Sequence, residues 1–407
     1  MNRRDSLLFY CQHSLGMGHL VRSLALAESF AVRFRVVFLN GGPLPKGMRI
    51  PEGVEIVDLP PLGIDTTGKL VSRDRRRTVE RACSLRRRII LETYRRTRPR
   101  VIFVELFPFG RKKFAGELMP VLEEAKCVGG TRPLVCCSLR DILVGKRADQ
   151  RKHDERAVNL ANEYFDAVMV HSDPTFARLE ESMHQHATLR TPVYYTGFVQ
   201  ADRKPNGGAK PEGIRQIIVS AGGGLVGETL FRTAVEAYSL LGQPDDVRMK
   251  IITGPFLPDG AWQTLRAATQ GRRGLSLKRF VPDLCAEMRG AAASISQCGY
   301  NTALDILRAC IPALVVPFAE GQEDEQSKRA RRLAERGAIR VLEQKELSAA
   351  RLAEEMRGLL DFKPRRLHLD VDGARNAARI LDSLVGARRR ESRAVADGKT
   401  RVPEVHT

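Results

Sequence analysis

The 407-residue sequence has a single tryptophan, and aromatic residues make up only 6% of it. Where its arginines crowd together they are not interleaved with rings, so the stacking platforms that hold single-stranded nucleic acid are missing. No specific nucleic acid is therefore expected as a partner. No two cysteines stand at CxxC spacing, and the eight present fall mostly inside apolar runs. That excludes a zinc ribbon or a dithiol redox centre, and it suits small core residues in a reducing, cytosolic compartment. No apolar run approaches the roughly 18 residues needed to span a bilayer. The run "SLLFYC" near the basic start suits a buried first strand better than a signal peptide. Any membrane contact is expected to be peripheral, at the inner face.

What the chain does have is length, alternating pattern and positive charge. Its 407 residues, 43% of them hydrophobic, are long for one core and natural for two domains of about 150 to 200 residues each. In the first half, "SLLFYC", "FRVVFLN", "RVIFVEL", "PLVCCS" and "DAVMVHS" are short apolar runs separated by amphipathic stretches. That pattern predicts a parallel sheet covered by helices. A glycine-, proline- and lysine-rich stretch over 201–214 reads as a linker. The alternation then restarts with "QIIVSAGGG", "MKIITG", "LSLKRFV", "AASIS", "PALVVPF" and "AIRVLE". The predicted organisation is α/β: two Rossmann-like doubly wound domains, 1–200 and 215–385, facing across a cleft, with a disordered basic tail over 386–407. Formal net charge is +19. From Arg73 to Arg100 twelve arginines stand against Asp74, Glu80 and Glu92, a segment fit either for an anionic membrane surface or other polyanion, or for a plain solvated helix face.

Ligands of open parallel sheets sit at the carboxyl ends of the strands, so the turns that follow the strands are where chemistry is expected. In "IIVSAGGGLVGE" a strand runs into Ser220, Gly222, Gly223 and Gly224 ahead of a helix. Glycines let a ligand approach the backbone N–H groups, and a helix N-terminus favours negative charge, which together suit a diphosphate. The lysine of an NTPase phosphate loop is absent. In "SISQCGYNTALD", Gln297, Asn301 and Thr302 open a helix directly after a strand and are placed either for phosphate oxygens or for ordinary capping. Asp305, one turn on, suits a diol such as ribose or, equally, the helix dipole. In "GMGHLVRSLALA", His19 follows the first strand and begins a helix whose packing side is Leu20, Leu24 and Ala27. It is a candidate base expected to titrate near neutrality, with Gly16 and Gly18 admitting substrates. A histidine closing a tight turn is the alternative. His13, Glu105 and Asp141 also fall at strand ends. The two carboxylates are placed to polarise His19 or to bind acceptor hydroxyls, or else serve the fold alone.

"QCGYNTALD" followed by "IPALVVPFAEGQEDEQ" resembles the nucleotide-sugar signature of GT-B glycosyltransferases, in particular the family 28 type that includes the peptidoglycan lipid-intermediate N-acetylglucosaminyltransferase. "GMGHLVRSLALA" and "SAGGG" fall in the same order, so the likeness spans most of the chain. It implies an acceptor-binding first domain and a second domain that binds a nucleotide-diphosphate sugar, UDP-linked. Ser220 and Gly222 to Gly224 would line the diphosphate with help from Gln297, Asn301 and Thr302; Gln297 stands where many relatives carry histidine. Asp305 would bind the ribose, where glutamate is more usual, the backbone at Phe280 and Val281 would hold the uracil edge, and Glu325 with Gln326 would contact the donor sugar.

The implied activity is inverting transfer to a hydroxyl acceptor, one carried on a lipid or a polysaccharide precursor included. His19 would act as base and helix N-termini would stabilise the leaving diphosphate. No DxD stands at a predicted strand end, so neither metal nor cofactor is expected. The same N-terminal stretch is also similar to the nucleotide-sugar hydrolase of pseudaminic acid synthesis, in which water replaces the acceptor. A nucleotide-sugar 2-epimerase shares the overall fold, but its acidic and arginine motifs are not recognised here. A non-catalytic polyanion-binding protein is the third reading.

Overall fold

Strand β1 (Ser6–Cys11) is buried along nearly its whole length, with Leu8 and Tyr10 in one core cluster and Leu7, Phe9 and Cys11 in another. One strand feeding two cores is what an unbroken apolar run encodes in a sheet covered on both faces. In this computed structural model the described residues are 4–13, 17–45, 47–65, 69–127, 132–145, 147–184, 188–200, 213–242, 246–321 and 324–396, with side chains to Ser392.

The first sheet combines β1 with β2 (Arg35–Asn40), β3 (Val54–Asp58), β6 (Val101–Glu105), β7 (Leu134–Arg140), β8 (Ala167–His171) and β9 (Val193–Tyr195), while β4 (Leu62–Ile64) and β5 (Leu70–Ser72) form a separate hairpin. Its order is β3-β2-β1-β6-β7-β8-β9, parallel throughout. It is flanked by α1 (Met17–Ala31), α2 (Val79–Thr97), α3 (Ala115–Cys127) and α4 (Gln150–Tyr164). Phe9, Phe30, Phe38 and Phe103 meet ring to ring between β1, β2, β6 and α1, with centroids 4.9–6.1 Å apart.

The second sheet holds β10 (Arg215–Ser220), β11 (Val247–Ile252), β12 (Leu275–Lys278), β13 (Ala293–Ser296), β14 (Ala313–Val315) and β15 (Arg340–Val341), in the order β12-β11-β10-β13-β14-β15 and parallel throughout. Its helices are α5 (Glu228–Leu240), α6 (Asp259–Thr269), α7 (Leu284–Arg289), α8 (Tyr300–Ala309), α9 (Glu325–Glu335) and α10 (Ala349–Leu359). The expected pair of doubly wound domains is present. In each sheet the winding direction reverses beside the first strand, between β1 and β6 and between β10 and β13, and an open α/β sheet forms its ligand crevice at such a point.

The domain boundaries need one correction. Helix α11 (Gly373–Ala396) takes in the first eleven residues of the stretch expected to be a disordered tail. Its Ala374, Ala377, Leu381 and Val385 fall three to four residues apart and enter the core of the first domain beside Leu20 and Leu24 of α1. That stripe buries itself on α1, which is why the helix continues through Arg388, Arg389 and Arg390 although those residues carry little apolar surface. Residues 397–407, and 201–212 of the expected linker, lie outside the described residues.

The domains meet along a packed seam. Ile142, Phe176 and Phe198 of the first share a cluster with Tyr300, Ile306 and Leu333 of the second. Among the described residues no helix is long and apolar enough to cross a membrane. Because Leu381 is fully buried against the first domain, Leu381→Ala should lower stability by about 2–4 kcal/mol. Denaturant unfolding followed by circular dichroism measures it, and a change of only a few tenths of that would mean the helix is not part of the first domain's core.

Candidate active site

The switch point of the first sheet is built around one carboxylate. Glu105 ends β6 with a side chain wholly out of solvent. A buried carboxylate requires partners, and two come from the first turn and a half of α1: Arg22 Nη2 donates to Glu105 Oε1 at 2.8 Å, and His19 Nδ1 lies 2.5 Å from the same oxygen. Residues three apart lie on one helix face, so a single side of α1 delivers both. Burial lowers the His19 pKa to about 3, and Arg111 and Arg22 reinforce that against the pull of Glu105. This departs from the near-neutral value expected, and the cause is first burial, with the two guanidinium groups adding to it. Burial would raise Glu105, but His19, Arg111 and Arg22 together draw it down to about 2. At neutral pH the pair is a neutral imidazole donating Nδ1–H to a carboxylate, an assignment made from the short bond. Nε2 is left as the basic nitrogen. Of the two carboxylates expected to serve His19, Glu105 is the one in contact with it.

Asp141 is not. Its two oxygens accept from Arg329 Nε at 2.7 Å and Nη2 at 2.8 Å across the domain seam, while Arg329 Nη1 also donates to the Cys298 carbonyl at 2.7 Å. The expectation that Asp141 polarises His19 is corrected, because a buried arginine from the second domain holds both its oxygens. His13 pairs through Nε2 with Asn40 Oδ1 at 2.8 Å, and Asn40 donates onward to Gly42 O and Asp58, so His13 steadies the β2 turn. Gly16 lies outside the described residues.

The switch point of the second sheet faces this cluster. Gly224 has φ +92°, and a Cβ there would stand 2.1 Å from the Thr253 carbonyl, so only glycine fits this turn. The turn passes over the start of α8, where a Cβ on Gly222 would come within 3.9 Å of Thr302 Oγ1, and Gly223 lies between them. Gln297 donates through Nε2 to Val226 O at 2.8 Å, bracing the glycine turn. Asn301 Nδ2 reaches the Gly18 carbonyl at 3.3 Å, so the N-termini of α1 and α8 abut across the seam. Ser220 Oγ is buried without a hydrogen-bond partner among the described residues. Two helix N-termini and a glycine turn thus converge beside His19, an arrangement that favours an anion.

Farther along α8, Asp305 is half-buried close to Cys285 of α7, whose thiol is pushed up first by burial and then by that charge. Val281 packs in the cluster that contains Tyr300 and Leu304, whereas Phe280 is exposed. Glu325 is ion-paired with Arg140 of the first domain, and Gln326 Oε1 accepts from Cys298 N at 3.0 Å and Phe318 N at 3.2 Å. Both side chains expected at the donor sugar therefore have protein partners in this arrangement. Sequence reading missed Arg22, Arg111, Tyr300 and Arg329. The first was within reach, since Arg22 follows His19 by three residues. Tyr300 donates its hydroxyl to the His171 carbonyl at 2.9 Å and lies beneath Arg22, whose Cζ is 5.2 Å from the ring centroid.

Residues 217–379 match the model of the glycosyltransferase family 28 C-terminal domain. An uncharacterized glycosyltransferase of Methanopyrus kandleri is 31% identical over 172 residues, 42% of this chain and 46% of that one. The UDP-N-acetylglucosamine--N-acetylmuramyl-(pentapeptide) pyrophosphoryl-undecaprenol N-acetylglucosamine transferase of Alkalilimnicola ehrlichii is 30% identical over 165 residues, 40% of this chain and 44% of that one. The chain thus spans less than half the length of the curated relatives it matches. The crystal structure of a calicheamicin glycosyltransferase superposes with a TM-score of 0.57 at 16% identity, covering 99% of this chain and 100% of that one, and this likeness extends the shared fold to both domains.

The buried imidazoles set a pH dependence. Burial lowers His13, His19 and His171 alike, so the unfolded chain binds more protons than the folded one once pH falls below about 6.5. Stability should therefore decline as pH drops from 7.5 to 5, by up to about 1.4 kcal/mol per pH unit for each neutral imidazole. Glu105 adds a further loss below the ordinary carboxylate range. Thermal unfolding across pH should show this decline, shallower in His19→Gln. A flat profile would mean that these imidazoles take up protons in the folded state.

Proposed function

We propose that this chain, whose second domain belongs to glycosyltransferase family 28 and whose two domains share the GT-B fold, transfers a sugar with inversion from a nucleotide-diphosphate donor, UDP-linked, to a hydroxyl acceptor. The observation that carries the reading is the 2.5 Å contact between His19 Nδ1 and buried Glu105, set beside the abutting N-termini of α1 and α8. With Nδ1 committed, Nε2 takes the acceptor proton as the acceptor oxygen attacks the anomeric carbon. The bond from that carbon to the diphosphate oxygen breaks, and its electron pair leaves with the diphosphate. The leaving group is stabilised by the α8 N-terminus, Asn301, Thr302 and the amides of Gly222 to Gly224. Asp305 holds the ribose and the backbone at Phe280 and Val281 the base. This scheme asks for no metal or cofactor.

The donor reading is tested by thermal shift with UDP, GDP, TDP and their sugars. One nucleotide should stabilise the wild type by mass action and lose that effect in Asp305→Ala; no response to any of them would sink the donor site. With an acceptor in hand, His19→Ala should lower turnover about 10²- to 10⁴-fold while nucleotide binding is retained. A change below tenfold would remove His19 from the base role.

For a lipid-linked acceptor, the docking face is the arginine-rich segment. Arg75, Arg76, Arg77, Arg81 and Arg87 are exposed, whereas Arg86 is turned inward onto Glu117. Cosedimentation with anionic vesicles should weaken by about tenfold or more when Arg76, Arg77 and Arg81 are changed to glutamate. Binding unaffected by those changes would refute the docking face.

A further inference from the structure

Arg111 is the cation for which the scheme above has no use. It closes the loop that follows Glu105 on leaving β6, and the loop is tightly set: Gly110 N donates to Leu106 O at 2.8 Å, and Leu106 and Arg111 hold φ values of 65° and 58°. Positive φ at two non-glycine residues is sustained only where surrounding structure imposes it. The Arg111 side chain is 12% exposed, with Nε 3.9 Å from Glu105 Oε2, beyond hydrogen-bonding distance. Both atoms are buried without a hydrogen-bond partner among the described residues. Three other buried arginines are engaged: Arg22 on Glu105, Arg86 on Glu117, Gln12 and two carbonyls, Arg329 on Asp141 and Cys298. The Nε of Arg22, Arg140, Arg156 and Arg289 is also buried without a partner among the described residues, so what distinguishes Arg111 is its place, a guanidinium with a donor to spare beside the carboxylate that holds His19.

Charge points the same way. Glu105 supplies one negative charge to the two guanidinium groups of Arg22 and Arg111, and with His19 neutral the cluster keeps one positive charge in excess. Lys112 and Lys113, which follow directly, are exposed and add to it. The charge of Arg111 acts on both His13 and His19, which places it on the acceptor side, beside the two imidazoles that follow β1. The proposed diphosphate site belongs to the other domain.

We propose that Arg111 binds an oxyanion group, a carboxylate or a phosphate, carried by the acceptor next to the hydroxyl that His19 deprotonates. This rests on the transferase reading and narrows the acceptor class. A guanidinium presents paired donors that match either oxyanion. A neutral acceptor would leave a partly buried cation unpaired at the moment of reaction, which discriminates against it.

The test uses full-length protein labelled with ¹⁵N-histidine and saturated with UDP, titrated with inorganic phosphate and separately with acetate, while the imidazole signals of His13 and His19 are followed. Expected are saturable shifts of both, with apparent affinity weakened about tenfold or more in Arg111→Gln and partly kept in Arg111→Lys. UDP stabilisation should be the same in all three proteins. The stronger of the two anions identifies the group the acceptor carries. Equal titrations in wild type and Arg111→Gln, or no shift in wild type, would overturn the proposal. So would loss of UDP stabilisation in a folded Arg111→Gln, since Arg111 would then belong to the donor. Absence of any UDP response in wild type, with the phosphate shifts intact, would instead refute the donor reading and leave the anion site standing.

Discussion

A buried carboxylate cannot be left alone, and much of the site follows from how Glu105 is satisfied. One oxygen takes both Arg22 and His19, which pins the first turns of α1 to the end of β6 and fixes which imidazole nitrogen stays basic. The same Arg22 lies over the ring of Tyr300, the first residue of α8. The helix whose N-terminus abuts that of α1 therefore rests on the cation that orders His19. Losing one partner of such a buried group typically costs about 3–5 kcal/mol. The geometry of His19 and the seating of the second domain thus draw on one electrostatic contact.

Along the rest of the seam the connections are also charged: Arg329 on Asp141, Arg140 on Glu325, and Arg332 on Glu181. Hydrogen bonds add Asn301 to Gly18, Tyr300 to His171 and Arg332 to Phe176. Several of the groups expected to meet substrate, Asn301, Glu325 and Gln326 among them, here hold protein instead. Side chains able to bond to a sugar or a phosphate can equally bond to the facing domain, and ligand entry would exchange one set of partners for the other.

The architecture was legible because parallel strands buried on both faces leave unbroken apolar runs. The eleven runs picked from sequence correspond to β1, β2, β6, β7, β8 and β10 through β15. The strands missed were the edge strand β3, only half-buried, and the three-residue β4, β5 and β9, where one-sided burial or short length dilutes the signal. In the candidate site, residues tied to the backbone by local chemistry could be read: glycines in a turn, polar residues opening a helix, a histidine after the first strand. Pairings could not. Glu105 meets Arg22 across 83 residues and Asp141 meets Arg329 across 188. With 67 lysines and arginines in the chain, nothing local marks the few that turn inward. The α11 stripe was missed because the arginines that follow it dominate the composition, and its partner, α1, lies at the other end of the sequence.

That last contact makes the second domain topologically an insertion. The polypeptide leaves the first domain after β9, builds the whole second sheet, and returns to finish the core it left. During synthesis, α1 has no α11 to cover it until the whole second domain has emerged. Domains generally fold as units in the order they are made, but here the domain made first must wait for a helix made after the second domain, its face toward α11 exposed in the meantime. The second domain, complete within a single stretch of chain, is the one able to close its core first.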